Sequence, residues 1–337
     1  MGMEKKATIN DIARVSNVSR TTISRYLNGK FENMSKETQE RIRQVIEDLN
    51  YHPSRQARFL KTQKTGILGI IVGDISNFYT ARLIKGMMNR LKKSQYHPII
   101  MDSDLSRTLE QRNINKLLEE QVEGVIIQPL GIDSSDYKMI DHQFPLVQID
   151  RYVEPLVWPA VVSDNFKKSK ELVQLVIEKK YKRLIVLSPP VTFSSTRIKR
   201  YEGLMDAIKT QEIELKEFIA PEAKDLDVDN SQFWNEILPL TQDHVKTAIY
   251  TFNGPLLFEC IKFLKQNKLE IPKDIGLVGY DDLSWGEIMG PGITAVEQNL
   301  EKIGYVAVDT LIKEIEEKKI TKELIMIPSK LIPRQSL

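Results

Sequence analysis

From Gly66 onward the chain alternates short apolar runs with amphipathic stretches, and this pattern restricts the fold more than any other feature. GILGIIVGDI, HPIIMDSD, VEGVIIQPL and PLVQIDR are rich in Val, Ile and Leu and bounded by Gly, Pro, Asp or Ser, which predicts buried strands. Between them, TARLIKGMMNRLKKS and LEQRNINKLLEEQ repeat apolar residues at helical spacing. A second series begins near Ser163, with RLIVLSP, EFIAPE, TAIYTFN and DIGLVGYD as strands around the helices KSKELVQLVIEK, RYEGLMDAIKTQ and LLFECIKFLKQN. Strands that are apolar on both faces and separated by helices form parallel sheets covered on both sides, here two doubly wound α/β subdomains. Such sheets bind ligands beyond the C-terminal ends of their strands. At 337 residues and 41% hydrophobic, the chain is too long for one core.

The first sixty-four residues break this pattern. In TINDIARVSNVSRTTISRYLNGK, Thr8 can accept from the backbone N–H of Asp11 to open a helix whose stripe is Ile12, Ala13 and Val15. Ser16-Asn17 ends that helix, Val18 turns inward, and Ser19 caps a second helix that stops at Asn28-Gly29. Its apolar side is Ile23, Tyr26 and Leu27, leaving Arg20, Thr21, Thr22, Ser24 and Arg25 outward, residue types that reach base edges and phosphates. A helical hairpin with a solvated basic face would show the same spacing. A third helix signalled from Ser35 to Asn50, with Ile42, Val45, Ile46 and Leu49 on one side, supplies the layer the first two need, making a small all-α domain. YHPSRQARFLKT follows, where Ser54 can cap one short helix carrying Arg55, Arg58 and Lys61 beside Ala57, Phe59 and Leu60. So short a helix needs something to dock on.

Charge divides the chain in the same place. Residues 1–64 hold 13 Lys and Arg against 7 Asp and Glu, a net of +6, whereas the remainder holds 35 against 39, a net of −4. A basic head on an acidic body concentrates attraction for a polyanion at one end and predicts salt-sensitive binding. One cysteine, Cys260 on an apolar helical stripe, rules out an internal disulfide and is read as packing. With no apolar run of membrane-spanning length and no signal-peptide core after MGMEKK, the expectation is a cytoplasmic protein that makes no membrane contact. No glycine-rich phosphate loop follows any strand, the four histidines lack metal-ligand spacing, and no serine sits in a nucleophile elbow. No cofactor, no metal and no enzyme activity are expected.

The strand-end loops carry ligand chemistry instead. They offer Asn77, Phe78 and Tyr79, then Asp150 with Arg151, Thr196, Arg197 and Arg200 on a following helix, Asn253, and finally Asp281 and Trp285. Aromatic, amide, carboxylate and guanidinium groups together suit a hydroxyl-rich ligand. Two arginines one turn apart near a helix N-terminus add an anion site, which points to a sugar acid or phosphorylated sugar.

The segments TINDIARVSNVSRTTISRYLNGK, MSKETQERIRQVIEDLNYHPSRQARFL and TGILGIIVGDISNFYTARLIKGM resemble the LacI family of bacterial transcription regulators, over essentially the whole chain. The resemblance implies a helix-turn-helix domain at 1–52, a hinge helix and linker at 53–65, and a periplasmic-binding-protein-like core. Its N-subdomain would be 66–162 plus 299–323 and its C-subdomain 163–298 plus 324–337, with crossings near Ser163, Gln298 and Glu323. It implies a homodimer on double-stranded palindromic operator DNA, with a hinge helix that folds on the operator and wedges Leu60 between base pairs of the minor groove. Phe59 departs from the small or polar residue usual before that leucine. Arg20 and Thr21 match positions that choose the operator, and Arg25 matches another base contact. The candidate DNA-binding set is these three with Thr8, Ser19, Thr22, Ser24, Asn28, Ser54, Arg55, Ala57, Arg58 and Leu60. Arg200 matches the family's effector-contacting arginine. The segment from Tyr250 to Asn299 is similar to the branch that regulates 2-keto-3-deoxygluconate use, and Gly254 stands where relatives tend to carry Asp. The expected function is repression released by such an effector. Alternatives are a global regulator activated by a phosphoprotein or phosphosugar, and a sugar-binding module without DNA activity, which the basic head argues against.

Overall fold

The computed structural model describes residues 7–27, 29–32, 34–51, 64–140, 143–221, 231–281 and 285–337. Contacts divide it into a head, Met1–Thr65, and a body, Gly66–Leu337. In the head, α1 (Ile9–Val15), α2 (Arg20–Leu27) and α3 (Lys36–Asp48) form around Ile12, Ile23 and Ile42, all fully buried, with Val45 and Tyr51 beside them. Thr8 closes a capping box: its backbone N–H donates to Asp11 Oδ2 at 3.0 Å and its hydroxyl oxygen accepts from Asp11 N at 3.4 Å. Ser19 accepts from Thr22 N at 3.1 Å, and Ser35 accepts from Thr38 N at 3.2 Å to cap α3. The turn between α1 and α2 is fixed from outside by Arg41, whose Nε donates to the Ser16 carbonyl at 3.0 Å. Val15, expected in the stripe of α1, is 50% exposed, because Ile12 and Ala13 already fill the angle that faces α3. Leu49 is likewise at the surface.

The body holds two sheets, as the alternation requires. The first contains β1 (Ile67–Val72), β2 (His97–Asp102), β3 (Gly124–Ile127), β4 (Leu146–Ile149), β5 (Ala160–Ser163) and β11 (Leu324–Ile327), ordered β11-β5-β4-β3-β1-β2 and parallel throughout. The second contains β6 (Arg183–Ser188), β7 (Glu214–Ile219), β8 (Thr247–Thr251), β9 (Gly276–Tyr280), β10 (Thr294–Glu297) and β12 (Lys330–Ile332), ordered β12-β10-β9-β8-β6-β7 with β12 antiparallel. Helices α4 (Phe78–Leu91), α5 (Arg107–Glu119) and α10 (Leu300–Glu317) cover the first sheet; α6 (Asn165–Glu178), α7 (Ser195–Ile208), α8 (Ser231–Ile237) and α9 (Gly254–Gln266) accompany the second. Each sheet is buried on both faces, which is why its strands read as unbroken apolar runs. Cys260 is fully buried in the core under α9, and burial pushes its thiol well above the ordinary range, so it packs as an apolar group.

The last crossing differs from expectation. β11 pairs in register with β5, Leu324 beside Ala160 and Ile327 beside Ser163, so residues 324–327 belong to the first subdomain and the chain crosses after Ile327, not near Glu323. The physical reason is where α10 delivers the chain: it packs on α4 and β4, beside the open edge of β5, and a four-residue apolar run takes the nearest free edge.

Backbones of α4 and α10 touch through two glycines. A Cβ on Gly304 would lie 2.1 Å from the Leu83 carbonyl oxygen, and one on Gly86 would lie 2.1 Å from that of Glu301. Gly304→Val therefore forces the helices apart; we expect a cost of about 3 kcal/mol and a melting temperature of the body lowered by roughly 5–10 °C. An unchanged calorimetric melt would refute the close approach.

Candidate functional site

Two surfaces carry the sequence-derived candidates. On the head, Arg20, Thr21 and Arg25 of α2 are exposed, while Thr22 and Ser24 are half-buried. The hydroxyls of Thr8 and Ser19 serve their helix starts, and Thr22 Oγ1 lies 2.8 Å from Ser19 Oγ, so these three shape the surface as caps. The other guanidiniums among the described residues of the head are paired: Arg14 with Asp11 at 3.5 Å, Arg41 with Glu37 at 3.8 Å, and Arg43 with Glu40 and Glu47 at 2.5 and 2.6 Å. Among the described residues, Arg20 and Arg25 have no carboxylate partner, and α2 has no acid in its first turn. Among the described helices of the head that makes α2 the positive one, with two guanidiniums of the kind that contacts a polyanion. Asn28 and the segment with Ser54, Arg55, Ala57, Arg58, Phe59 and Leu60 lie outside the described residues.

On the body, the C-terminal ends of the two sheets face each other across a cleft that encloses about 680 Å³ of empty space, open mouth included. From the first subdomain, Asn77 caps α4 by accepting from Tyr79 N at 3.0 Å, which turns Tyr79 inward, where its hydroxyl donates to Asp150 Oδ1 at 2.6 Å. Gln128, directly after β3, donates from Nε2 to Asp150 Oδ2 at 2.7 Å and accepts from Gly73 N at 3.0 Å. Arg151 lies 3.6 Å from the same carboxylate oxygen. From the second subdomain comes Asp281, directly after β9, accepting from Gly254 N at 3.0 Å and from Gln298 Nε2 at 2.5 Å. Asn253 caps α9 through Leu256 N at 2.9 Å.

The start of α7 brings the cations. Arg200 is 5% exposed; its Nε donates to Asn165 Oδ1 at 2.8 Å, Nη1 donates to the Phe252 carbonyl, and the guanidinium lies 3.8 Å over the Tyr280 ring. Arg197 donates to the Pro190 carbonyl at 3.2 Å, and Ser194 and Thr196 share a hydroxyl bond of 2.6 Å. Burial opposes the charge on Arg200, but Asp281, foremost among several groups, more than restores it. Burial pushes the Asp281 carboxyl upward against the pull of Arg200 and its two donors. It also lifts the Tyr79 hydroxyl well above its usual range, reinforced by Asp150 and Asp281, so Tyr79 remains a donor.

Asp150 and Asp281 sit one residue past β4 and β9, in left-handed conformations with φ of 65° and 69°. Such backbones cost about 1 kcal/mol or more in non-glycine residues and persist where the surroundings overdetermine them. Here the surroundings are the Tyr79 hydroxyl and Gln128 amide on Asp150, and the Gly254 N–H and Gln298 amide on Asp281. A hydroxyl-rich ligand would find acceptors on both aspartates, and an anionic group would find α7.

Asn77, Tyr79, Asp150, Thr196, Arg197, Arg200, Asn253 and Asp281 all line the cleft. Phe78 does not: as the first residue of α4 its ring turns outward and is 75% exposed. Trp285 falls in the turn Trp285–Glu287, and the expectation for its ring lies outside the described residues. As site residues, Gln128, Gln298 and Asn165 are not singled out by the sequence, which marks Gln298 only as a crossing. Their only signal was an amide just past an apolar run, a pattern too common to select. Among the described residues, no group of His, Cys, Asp and Glu could hold a metal, and no helix is long and apolar enough to cross a membrane.

Comparison with known proteins is consistent with both surfaces. Residues 8–54 match the profile of the bacterial regulatory proteins of the lacI family, and residues 173–337 match a periplasmic binding protein-like domain. The HTH-type transcriptional regulator KdgR of Bacillus subtilis is 30% identical over 344 residues, spanning 99% of this chain and 100% of its own. The HTH-type transcriptional regulator PtxS of Pseudomonas putida is 27% identical over 308 residues, spanning 91% of this chain and 89% of its own. Among solved structures, the Lac repressor bound to ONPG in its repressed state superposes with a TM-score of 0.85 at 18% identity, over 99% of this chain and 100% of that one.

Proposed function

The chain belongs to the lacI family of bacterial regulatory proteins, and from that premise we propose that it represses sugar-acid catabolism genes, binding a palindromic operator as a homodimer and leaving it when a small anionic effector such as 2-keto-3-deoxygluconate fills the cleft. The observation that carries the effector reading is that Arg197 and Arg200, at the start of α7, line the same cleft as two buried carboxylates, Asp150 and Asp281. Guanidiniums recognise a carboxylate or phosphate, and the aspartates recognise the hydroxyls of a sugar chain. Gly254 supports the same reading, because its N–H donates to Asp281 while no further carboxylate stands at that position. The cytoplasm is the compartment in which such a protein would meet DNA.

Calorimetry on the full chain tests this directly. Binding of 2-keto-3-deoxygluconate and not of neutral hexoses is expected, and the sugar acid should release operator in a gel shift; heat from neutral sugars alone overturns the anionic reading. A phosphorylated sugar in the same series separates carboxylate from phosphate preference.

Operator choice is assigned to Arg20 and Thr21, where α2 begins. Exchanging both for other polar residues should change which operator is preferred, by about 1–3 kcal/mol per lost base contact. Uniform weakening on every sequence tested would place both on phosphates instead.

A further inference from the structure

The cleft's two buried charges in the second subdomain reach one residue by separate hydrogen-bonded arms. Arg200 Nε donates to Asn165 Oδ1 at 2.8 Å, and Asn165 Nδ2 donates to the Ser163 carbonyl at 3.2 Å. Asp281 Oδ1 accepts from Gln298 Nε2 at 2.5 Å, and Gln298 Oε1 accepts from the Ser163 hydroxyl. Ser163 ends β5, where the chain leaves the first sheet, and Gln298 follows β10, where it returns. The third crossing joins them, since Ser329 N donates to Asp164 Oδ1 at 2.8 Å. Ser163, Asn165, Gln298, Arg200 and Asp281 are each at most 6% exposed.

We propose that Ser163 and Gln298 are positioning residues that transmit effector engagement of Arg200 and Asp281 to the angle between the subdomains, and so to operator affinity. This rests on the effector reading of the cleft given above. A ligand anion that draws on Arg200 and a ligand hydroxyl that donates to Asp281 redistribute both arms at once. Buried hydrogen bonds cannot be left half-made without a large penalty, so the network exchanges between discrete bonding patterns, and the crossing strands move with it.

Two measurements on the full chain test this: calorimetric affinity for 2-keto-3-deoxygluconate, and operator affinity with and without a saturating concentration of it. The wild type should lose operator affinity by about tenfold or more on saturation. Ser163→Ala should still bind the sugar acid while its operator response falls below about threefold, and Gln298→Ala should show the same collapse of the ratio. Ser163→Thr, which keeps the hydroxyl, should restore the response. A purely structural role would lower melting temperatures and leave the ratio intact. Ser163→Ala and Gln298→Ala proteins that bind the ligand and respond as fully as wild type overturn the proposal. Wild-type protein that gives no heat with the sugar acid overturns the cleft reading and this inference with it, a result distinguishable before any variant is made.

Discussion

Arg200→Ala is expected to be blind to effector and permanently bound to operator. The side chain does four things at once: it donates to Asn165 and to the Phe252 carbonyl, lies over Tyr280, and supplies the leading positive charge acting on the buried Asp281 carboxylate. Removing it leaves the buried Asn165 and Phe252 acceptors without their donor and Asp281 without its leading countercharge, at a cost of about 3–5 kcal/mol, so the body should melt roughly 5–10 °C lower. Loss of sugar-acid affinity should exceed about 100-fold, equivalent to about 2.7 kcal/mol. Asp281 gives the deficit a pH dependence. Its carboxyl is already raised by burial, and the variant lacks the cation that holds it down. Ionising a carboxyl with a raised folded pKa destabilises the fold, so the deficit grows as pH rises through that pKa and shrinks below it. Arg200→Lys, which keeps charge but not the fork, should fall between the two. Calorimetry and thermal melts from pH 5 to 8 check this; wild-type affinity in the alanine variant would remove Arg200 from the site.

Ile23→Ala should abolish operator binding without touching the body. Ile23 is fully buried with Ile12 and Ile42, and among the described residues only Val45 and Tyr51 join them in the buried part of that core. Truncating a buried isoleucine costs about 2–5 kcal/mol, whereas a domain of this size rarely has more than about 3–5 kcal/mol in total. The head therefore unfolds, while the body, a separate contact unit, should keep its melting transition and its effector affinity. Ile23→Val, at about 0.5–1.5 kcal/mol, should stay folded and bind operator. Retained operator binding by the alanine variant would show a head much more stable than its core implies.

Much of the fold was legible because local rules and burial agree along most of the chain. Thr8, Ser35, Asn77 and Asn253 each accept from the backbone of the helix they open. Strands with both faces covered announced themselves as apolar runs. The run LIMI at Leu324 could be recognised as a strand but not assigned to a sheet, because hydrophobic periodicity says that a segment is buried and not against what. Phe78 is a ligand candidate by its place between Asn77 and Tyr79, yet adjacent residues on a helix point roughly 100° apart, so when Tyr79 turns into the cleft Phe78 turns out of it.

The division into basic head and acidic body, the strand–helix alternation, and the charged residues that gather at strand ends all follow from composition and spacing over a few turns, and are written in the chain itself. Packing in three dimensions is what puts Asp150 and Asp281 in left-handed positions on opposing sheets, sets Gln128 and Gln298 against them, and brings Arg200 and Asp281 together on Ser163. Those partners lie from 17 to 135 residues apart in the chain where side chains bond across elements. Which buried donor meets which acceptor is set by how the sheets and crossings pack, and no local pattern encodes a bond between residues so far apart.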